Sequence, residues 1–408
     1  MVFLSASERR HAMYVRIRKE RFGYVFFERF TRNVHFVETK ENLEQLGREQ
    51  LRKFVSRYYS GIGNAFHYEF VQSPENQFEL GSPIGMYMEI TRRCALDCRH
   101  CYKPDDPNAQ LLTLEGWKRL IKELYDIGVF EIRLCGNEPL ISPYFRQICE
   151  FISGLNLFLG INTCGFFGEQ TREDLIALHP DFVAISIDGN EESHNQIRGP
   201  DSYQRAVMLL KKLSKTNIRR RINSVVSTLT LSTTEHTVKL ADEFGADVSF
   251  IPFRPIGRHA DFSAKCSIGR DQMWQSVQEV TRLRQQYPHL LLLTYFDVLG
   301  EHATYHHSMN FNSPCPARKN GFIGYSGDFY PCDFLRSLGR IYYCGNVAEH
   351  GFWPIWTSSP VLNGFRCLKH DKCKRCSHYM KKCYGGCISG SIASTGCPDD
   401  QLCFIDIQ

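Results

Sequence analysis

The sequence predicts an α/β protein built around a partial (β/α)6 TIM-like barrel, and three features of the chain carry this prediction. Beyond Gly85, six short apolar segments alternate with helical segments, as parallel βα units do. A small β-meander/helix module precedes them. After about Met309 the alternation stops, and an irregular, cysteine-rich C-terminal domain follows.

The N-terminal module is predicted from three segments with strand-like alternation and one with helical spacing. The strand candidates are Tyr14–Arg18, Tyr24–Glu28 and Val34–Glu38, and the helix candidate is Glu41–Ser60. Residues 61–85 contain Ser-Pro pairs and glycines, which are typical of a linker. We therefore place the module and its linker at residues 1–80.

The barrel is predicted at residues 81–308. Its six strands are predicted at Met86–Ile90, Phe130–Leu134, Leu157–Asn162, Phe182–Ile187, Ile222–Ser227 and Val248–Pro252. Between them lie helical segments such as Leu114–Tyr125, capped by Thr113, and Tyr203–Leu213.

The remaining residues, 309–408, hold ten of the seventeen cysteines. Their apolar residues show too little periodicity to predict an independent core. We expect metal clusters, rather than burial, to hold this domain together.

Composition limits the class of protein. The formal net charge is +5, and part of the positive excess lies in an N-terminal basic stretch that consists of Arg9, Arg10, Arg16, Arg18, Lys19 and Arg21. We interpret this stretch as a solvated face and not as a nucleic-acid site. We find neither a signal peptide nor an apolar run long enough for a membrane span. A cytoplasmic location is expected, where grouped cysteines indicate metal more often than disulfides.

Three cysteines follow the first predicted barrel strand with the spacing Cys94-x3-Cys98-x2-Cys101. This position places three thiolates at the C-terminal mouth of the barrel, where such folds have their active sites. Three ligands leave one iron of a 4Fe-4S cluster open, whereas a closed zinc site takes four. A three-cysteine zinc loop is the alternative.

This motif, with an aromatic-type residue, His100, before the third cysteine, resembles the radical S-adenosylmethionine (radical SAM) superfamily over about residues 85 to 260. The resemblance implies that the open iron binds S-adenosylmethionine. One-electron reduction then yields a 5'-deoxyadenosyl radical that abstracts a hydrogen atom from the substrate.

Further segments at strand ends resemble the cofactor-binding segments of this superfamily. Gly136-Asn137-Glu138 is similar to the GGEP motif, which implies binding of the methionine amino group; Asn is a good substitute for glycine if the position needs a positive φ. By the same resemblance, Ser186 and Arg198 are candidates for the methionine carboxylate, and Asn162 and Ile251 for the ribose and adenine. For these last two, plain strand-end structure is an equal alternative.

The C-terminal cysteines resemble the SPASM domain, which implies two auxiliary 4Fe-4S clusters and three in all. One would take Cys373, Cys376, Cys383 and Cys403, and the other Cys315, Cys332 and Cys387. The second set has three members, so its cluster has an open iron unless Cys344, Cys367 or Cys397 completes it. Zinc ribbons are the alternative. The other four, Cys135, Cys149, Cys164 and Cys266, are predicted to be buried apolar residues.

Asp333, which directly follows Cys332, stands where sulfatase-maturating relatives carry a catalytic base. A turn-forming or capping aspartate is the alternative. The N-terminal module resembles the leader-recognition domains of the pyrroloquinoline quinone and mycofactocin pathways, which implies that a precursor peptide binds through its leader as an added strand. A basic strand edge would suit an acidic leader, and a structural capping domain is the rival interpretation.

Together these resemblances imply a maturase of ribosomally made peptides that forms a crosslink, with a thioether as first choice. Carbon-carbon crosslinking, oxidative decarboxylation and formylglycine formation are alternatives, as is a non-enzymatic iron-sulfur electron carrier. An external reductant of the flavodoxin or ferredoxin type is the second expected partner.

Overall fold

A computed structural model describes residues 13–29, 31–60, 62, 66–74, 80–103, 110–257, 259–294, 319–367, 372–377 and 386–405. These residues form one four-stranded and one ten-stranded sheet. Among them, no helix combines the length and the apolar character needed to cross a membrane.

The four-stranded sheet belongs to the N-terminal module. The predicted meander is present as β1 (Tyr14–Glu20), β2 (Gly23–Glu28) and β3 (Val34–Glu38). A fourth strand, β4 (His67–Val71), pairs parallel to β1 within the segment predicted as a linker, so that prediction is wrong there. The predicted helix is shorter, with a 3-10 turn at Leu43–Gln45 followed by α1 (Arg48–Val55).

Both faces of this sheet are buried. One packs against α1 through Val15, Ile17, Tyr24, Phe26, Val37, Leu51 and Phe54. The other packs against the start of the barrel strands through Val25, Phe27 and Val34, which meet Phe130, Phe158 and Phe182. The module therefore closes the end of the barrel at which the strands begin.

Two arginines of β1 are part of this contact, so the predicted solvated face is wrong for them. Arg16 and Arg18 are 1% and 0% exposed. Arg16 donates to the Val129 carbonyl at 2.8 Å, and Arg18 donates to that of Gly128 at 2.8 Å. Because these carbonyls follow the C-terminus of α2 (Leu114–Asp126), the positive charges meet the negative end of a helix.

The six predicted barrel strands are confirmed, with small shifts at their ends: β5 (Gly85–Met88), β6 (Glu131–Leu134), β7 (Phe158–Thr163), β8 (Phe182–Ser186), β9 (Arg219–Val226) and β10 (Asp247–Pro252). They pair in chain order, all parallel. A further strand, β11 (Leu292–Thr294), extends the sheet beside β10.

Helices cover the outside of this sheet. Besides α2 they are α3 (Phe145–Gly154), α4 (Glu169–Leu178), α5 (Glu191–Arg198), α6 (Ser202–Leu213), α7 (Thr234–Phe244), α8 (Ala260–Cys266) and α9 (Arg270–Gln286). Thr113 caps α2 as predicted, by accepting from the Gly116 amide at 3.1 Å.

The C-terminal residues continue the same sheet. β12 (Asn320–Ile323) pairs parallel to β5, and β13 (Asp328–Tyr330) and β14 (Gly345–Asn346) follow antiparallel. The helices are α10 (Asp333–Arg336), α11 (Val347–His350), α12 (Phe352–Ser358), α13 (Pro360–Cys367) and α14 (Ile388–Thr395). Phe352, Trp356 and Leu362 join the barrel core. The expectation that burial does not hold this domain is therefore wrong for the described part.

Candidate functional site

One cavity of about 490 Å³ opens where the barrel strands end, and it brings together most of the predicted site residues. Its lining includes Cys94, Cys98, His100, Cys101, Gly136, Asn137, Glu138, Asn162, Ser186, Arg198, Ile251, Cys332, Asp333 and Cys387. Since these residues come from loops far apart in sequence, the parallel strands are what assemble them.

The three cysteines of the first motif share a short loop after β5. Cys94 is exposed, Cys98 is buried and Cys101 is intermediate. The loop is held by hydrogen bonds from the Cys101 amide to the Cys98 carbonyl at 3.0 Å and from the Arg99 amide to Ile197 at 2.9 Å. All three cysteines line the same cavity.

The Gly136-Asn137-Glu138 turn rests on Glu89, a residue that sequence reasoning missed. Gly136 has a φ of +97°, and a Cβ on it would lie 2.4 Å from Glu89 Cγ. Asn137 is not among the described residues with a positive φ; instead its amide and its Nδ2 both donate to Glu89 Oε1 at 3.1 Å. Asn137 is thus accommodated by a side-chain hydrogen bond rather than by backbone conformation.

Glu138 lies at the centre of a buried hydrogen-bond network. It accepts from the Thr163 hydroxyl, the Cys164 amide and the Cys164 thiol, each at 2.9 Å. Burial raises the pKa of Glu138 above its usual value, although these hydrogen bonds lower it in part. The prediction that Cys164 is a buried apolar residue is wrong, because Cys164 is only partly buried and its thiol makes a polar contact with Glu138 at the cavity. Its place directly after β7 was the available sequence signal.

Arg198 is fixed by a buried carboxylate. Its Nε donates to Asp188 Oδ2 at 2.6 Å, and Asp188 Oδ1 accepts from the Val225 amide at 2.9 Å. Burial raises the pKa of Asp188, but the charge and hydrogen bond of Arg198, together with His100 and His194, outweigh burial and lower the pKa to about 2. Arg198 therefore lines the cavity with a positive charge whose position is fixed by Asp188, and such a charge is suited to binding a carboxylate.

Two polar atoms of the cavity lining call for a polar ligand. His100 Nδ1 and Asn162 Oδ1 are buried without a hydrogen-bond partner among the described residues. Burial, and then the Arg198 charge, lowers the pKa of His100 to about 4, so the ring is neutral at pH 7. Unsatisfied buried polar atoms cost free energy. The lining thus fits a cofactor with polar groups, such as S-adenosylmethionine.

The C-terminal domain supplies one wall of the cavity through Cys332, Asp333 and Cys387. Asp333 accepts from the Tyr102 hydroxyl at 2.6 Å and from Lys103 Nζ at 3.0 Å. Burial would raise the pKa of Asp333, but Lys103 and Tyr102 together lower it below its usual value. An ionised carboxylate therefore links the first cysteine loop to the loop of Cys332.

The other predicted cluster cysteines either do not line this cavity or fall outside the described residues. Cys373, Cys376 and Cys403 do not line it, and neither do the optional fourth ligands Cys344, Cys367 and Cys397. Cys315 and Cys383 fall outside the described residues. Cys149 and Cys266 are buried as predicted, while Cys135 is buried and also lines the cavity. Within the described ranges, no three His, Cys, Asp or Glu side chains converge on a single metal position.

Comparisons with known proteins identify two domains in the chain. Residues 88–244 match the radical SAM superfamily, and residues 315–378 match the SPASM iron-sulfur cluster-binding domain. The mycofactocin maturase MftC of Mycobacterium tuberculosis is 28% identical over 343 residues, which cover 79% of this chain and 83% of that protein. The PqqA peptide cyclase of Methylocella silvestris is 24% identical, covering 77% of this chain and 85% of its own.

Among solved structures, Streptococcus suis SuiB bound to its precursor peptide SuiA superposes with a TM-score of 0.71 at 18% identity, covering 96% of this chain and 98% of that one. The structure of anSMEcpe with bound AdoMet gives a TM-score of 0.65 at 18% identity, over 80% of this chain and 95% of its own. These two likenesses concern the fold. The two family matches show that the chain contains a radical SAM domain at residues 88–244 and a SPASM iron-sulfur cluster-binding domain at residues 315–378.

Proposed function

We propose that this enzyme matures a ribosomally made precursor peptide by abstracting a hydrogen atom from a core residue and forming a crosslink, with a thioether as first choice. The observation that carries the proposal is the single cavity shared by Cys94, Cys98 and Cys101 with Cys332 and Cys387. Relatives named as a peptide maturase and a peptide cyclase support a peptide substrate.

In this proposal Cys94, Cys98 and Cys101 hold a 4Fe-4S cluster whose open iron binds S-adenosylmethionine. Bound there, the cofactor supplies a 5'-deoxyadenosyl radical for hydrogen abstraction. By the resemblance, the Gly136-Asn137-Glu138 turn would bind the amino group, Ser186 and Arg198 the carboxylate, and Asn162 and Ile251 the nucleoside. These residues and His100 all line the cavity, which supports the assignment.

The auxiliary cysteines then divide by position. Cys332 and Cys387 lie on the cavity, so with Cys315 they would hold the cluster nearer the substrate. Cys373, Cys376, Cys383 and Cys403 would hold the outer one. An open iron at the nearer cluster would favour a thioether, because it could bind a substrate thiolate. The auxiliary clusters would accept the electron that is left when the carbon radical and the thiolate join. A flavodoxin or ferredoxin would supply the electrons.

Asp333 is proposed as the acceptor of the proton that the substrate releases as the substrate radical forms its new bond. Its place on the cavity and its ion pair with Lys103 support this role, since the pair keeps the carboxylate ionised. Because sulfatase-maturating relatives carry a catalytic base at the position of Asp333, formylglycine formation remains an alternative reaction.

The leader peptide is proposed to add as a strand to β3, which is an edge strand of the N-terminal sheet. The idea that a basic strand edge attracts an acidic leader has to be revised, because Arg16 and Arg18 are buried against the barrel. Backbone hydrogen bonds to β3 would supply the affinity.

The test uses the reconstituted, reduced enzyme under anaerobic conditions with the short peptide encoded beside its gene. We expect deoxyadenosine formation and, by tandem mass spectrometry, a peptide lighter by two hydrogen atoms. Cys94→Ala, Cys98→Ala and Cys101→Ala should each abolish both. Cys149→Ala, which changes a fully buried core cysteine, is the matched control and should retain them.

A peptide lighter by one carbon dioxide would mean that the reaction is decarboxylation and not crosslinking. An enzyme that leaves the peptide unchanged but modifies a sulfatase fragment would favour formylglycine formation. Absence of deoxyadenosine from the wild-type enzyme would refute the proposal. Iron well below three clusters per chain would count against the auxiliary assignments.

A further inference from the structure

Glu89 connects the Gly136-Asn137-Glu138 turn with the C-terminal domain. Its side chain is 0% exposed, and each of its two carboxylate oxygens has a different partner. Oε1 accepts from the amide and from Nδ2 of Asn137, both at 3.1 Å. Oε2 accepts from Nη1 of Arg336. One buried carboxylate therefore joins the turn to a residue almost 200 positions further along the chain.

The turn lies directly against the Glu89 side chain. Because Gly136 has no side chain, its backbone comes so close that a Cβ on it would lie 2.4 Å from Glu89 Cγ and 2.6 Å from Glu89 Oε1. The next residue, Asn137, is then held by the two hydrogen bonds to the same carboxylate. In a closely packed interior, a displaced side chain displaces what touches it. The position of the Glu89 carboxylate thus sets the position of the turn.

Arg336 is itself held in place. It is 8% exposed, and its guanidinium carbon lies 4.6 Å from the centroid of the Tyr325 ring and 6.0 Å from that of Phe322. A guanidinium group that stacks on aromatic rings has little freedom to reorient. Arg336 therefore meets Glu89 from a fixed direction.

The same helical turn carries Arg336 and a proposed cluster ligand. Arg336 is the last residue of α10, and Cys332 is the N-cap of this helix. The Leu335 amide donates to the Cys332 carbonyl at 3.1 Å, and the fully buried Leu335 packs with Ile388. The loop of the nearer auxiliary cluster is therefore tied, through Arg336, to the carboxylate beneath the turn.

Resting on the proposed S-adenosylmethionine site, we infer that Arg336 is a positioning residue for this cofactor. Arg336 fixes the Glu89 carboxylate, and Glu89 fixes the turn that the family resemblance assigns to the methionine amino group. Without Arg336, the buried carboxylate loses its charge partner, which costs free energy. We therefore expect it to turn toward another donor and to release Asn137, so that the cofactor binds more weakly.

Equilibrium dialysis with S-adenosylmethionine tests this inference without turnover. The reconstituted enzyme is kept anaerobic with its clusters oxidised, so that the cofactor binds but is not cleaved. We expect Arg336→Gln to raise the Kd about ten- to hundredfold, the size expected for a lost hydrogen bond between charged groups. Arg336→Lys should restore part of the affinity, because it keeps the charge.

The exposed Arg340, which lies just beyond α10, provides the matched control, and Arg340→Gln should leave the Kd unchanged. Iron content is measured for every variant. If Arg336→Gln does not fold or loses iron, Arg336→Lys takes its place, with a smaller expected rise in Kd. A wild-type Kd in a folded variant with full iron content would overturn the inference.

A double variant distinguishes positioning through Glu89 from a general loss of structure. In a Glu89→Gln background there is no carboxylate for Arg336 to fix, so Arg336→Gln should change the Kd much less there than in the wild type. If Glu89→Gln does not fold, Asn137→Gly, which removes the side-chain bond to Glu89, provides the second background. The same fold-change in both backgrounds would show that Arg336 acts by another route.

The inference and the proposed function fail in different ways. If the wild-type enzyme holds its iron but does not bind S-adenosylmethionine, both are wrong. If it binds the cofactor and Arg336→Gln binds it equally well, only the role of Arg336 is wrong. If the Kd values change as expected but every peptide remains unmodified, peptide maturation is wrong and the role of Arg336 stands.

Discussion

The pair formed by Arg254 and Asp400 joins the end of the barrel to the C-terminal residues 386–405, which include the proposed cluster ligands Cys387 and Cys403. The guanidinium contacts both carboxylate oxygens, at 2.8 and 2.6 Å, and the two side chains are 4% and 1% exposed. Asp400 also accepts from the amides of Cys387 at 2.9 Å and Leu402 at 3.0 Å. The geometry is that of a fully buried, bidentate ion pair with additional hydrogen bonds.

Asp400→Asn keeps the size of this side chain and removes its charge. Breaking a buried ion pair on one side costs about 3–5 kcal/mol, because the remaining charge stays desolvated. Since about 1.4 kcal/mol corresponds to a factor of ten, local opening of residues 386–405 should become roughly 10² to 4 × 10³ times more frequent. We also expect iron to be lost from the site of Cys387.

Hydrogen exchange read by mass spectrometry measures this opening directly in peptides from residues 386–405. Asp271→Asn, at an exposed aspartate, is the control and should leave their exchange unchanged. The double variant Arg254→Gln with Asp400→Asn replaces the ion pair with two amides. It should be less destabilised than the sum of the single variants by about 1–3 kcal/mol. Unchanged protection in Asp400→Asn, or strict additivity, would refute this account of the pair.

Two further predictions concern stability away from the cavity. Arg18→Met leaves the buried carbonyls of Ser82, Pro83 and Gly128 without their donor, so it should destabilise the protein by about 3 kcal/mol or more. Lys19→Met, at the exposed neighbouring residue, is the control and should change the thermal midpoint little. Equal midpoints for the two variants would contradict the docking role of Arg18. Burial lowers the pKa of His194 from 6.5 to about 3, so its contribution to stability is complete above pH 6.5 and is lost as the pH falls below it. His194→Asn should therefore make the free energy of unfolding fall less steeply between pH 6.5 and 5, by at most about 1.4 kcal/mol per pH unit. Parallel curves of unfolding free energy against pH for the variant and the wild type would show that the site does not titrate.

The sequence alone determined the barrel and the order of its strands. Apolar alternation and helix caps depend on residues a few positions apart, so they can be read directly, and the strands from β5 to β10 follow the predicted order. The same local logic placed the cavity residues at strand ends. In a parallel sheet these ends meet at one edge, so Cys94, Glu138 and Arg198 had to lie near one another.

Only the tertiary structure decided which charged and polar residues are buried, and with what partner. Arg18 meets carbonyls more than sixty residues away, and Glu89 pairs with Arg336 across the two domains. Likewise, β12 reaches β5 from a distant part of the chain, and Arg133 shares Glu131 with Arg32 of the N-terminal module. The sequence shows that an arginine is charged. Whether that charge is solvated or buried depends on contacts with residues far away in the sequence, which only folding brings together.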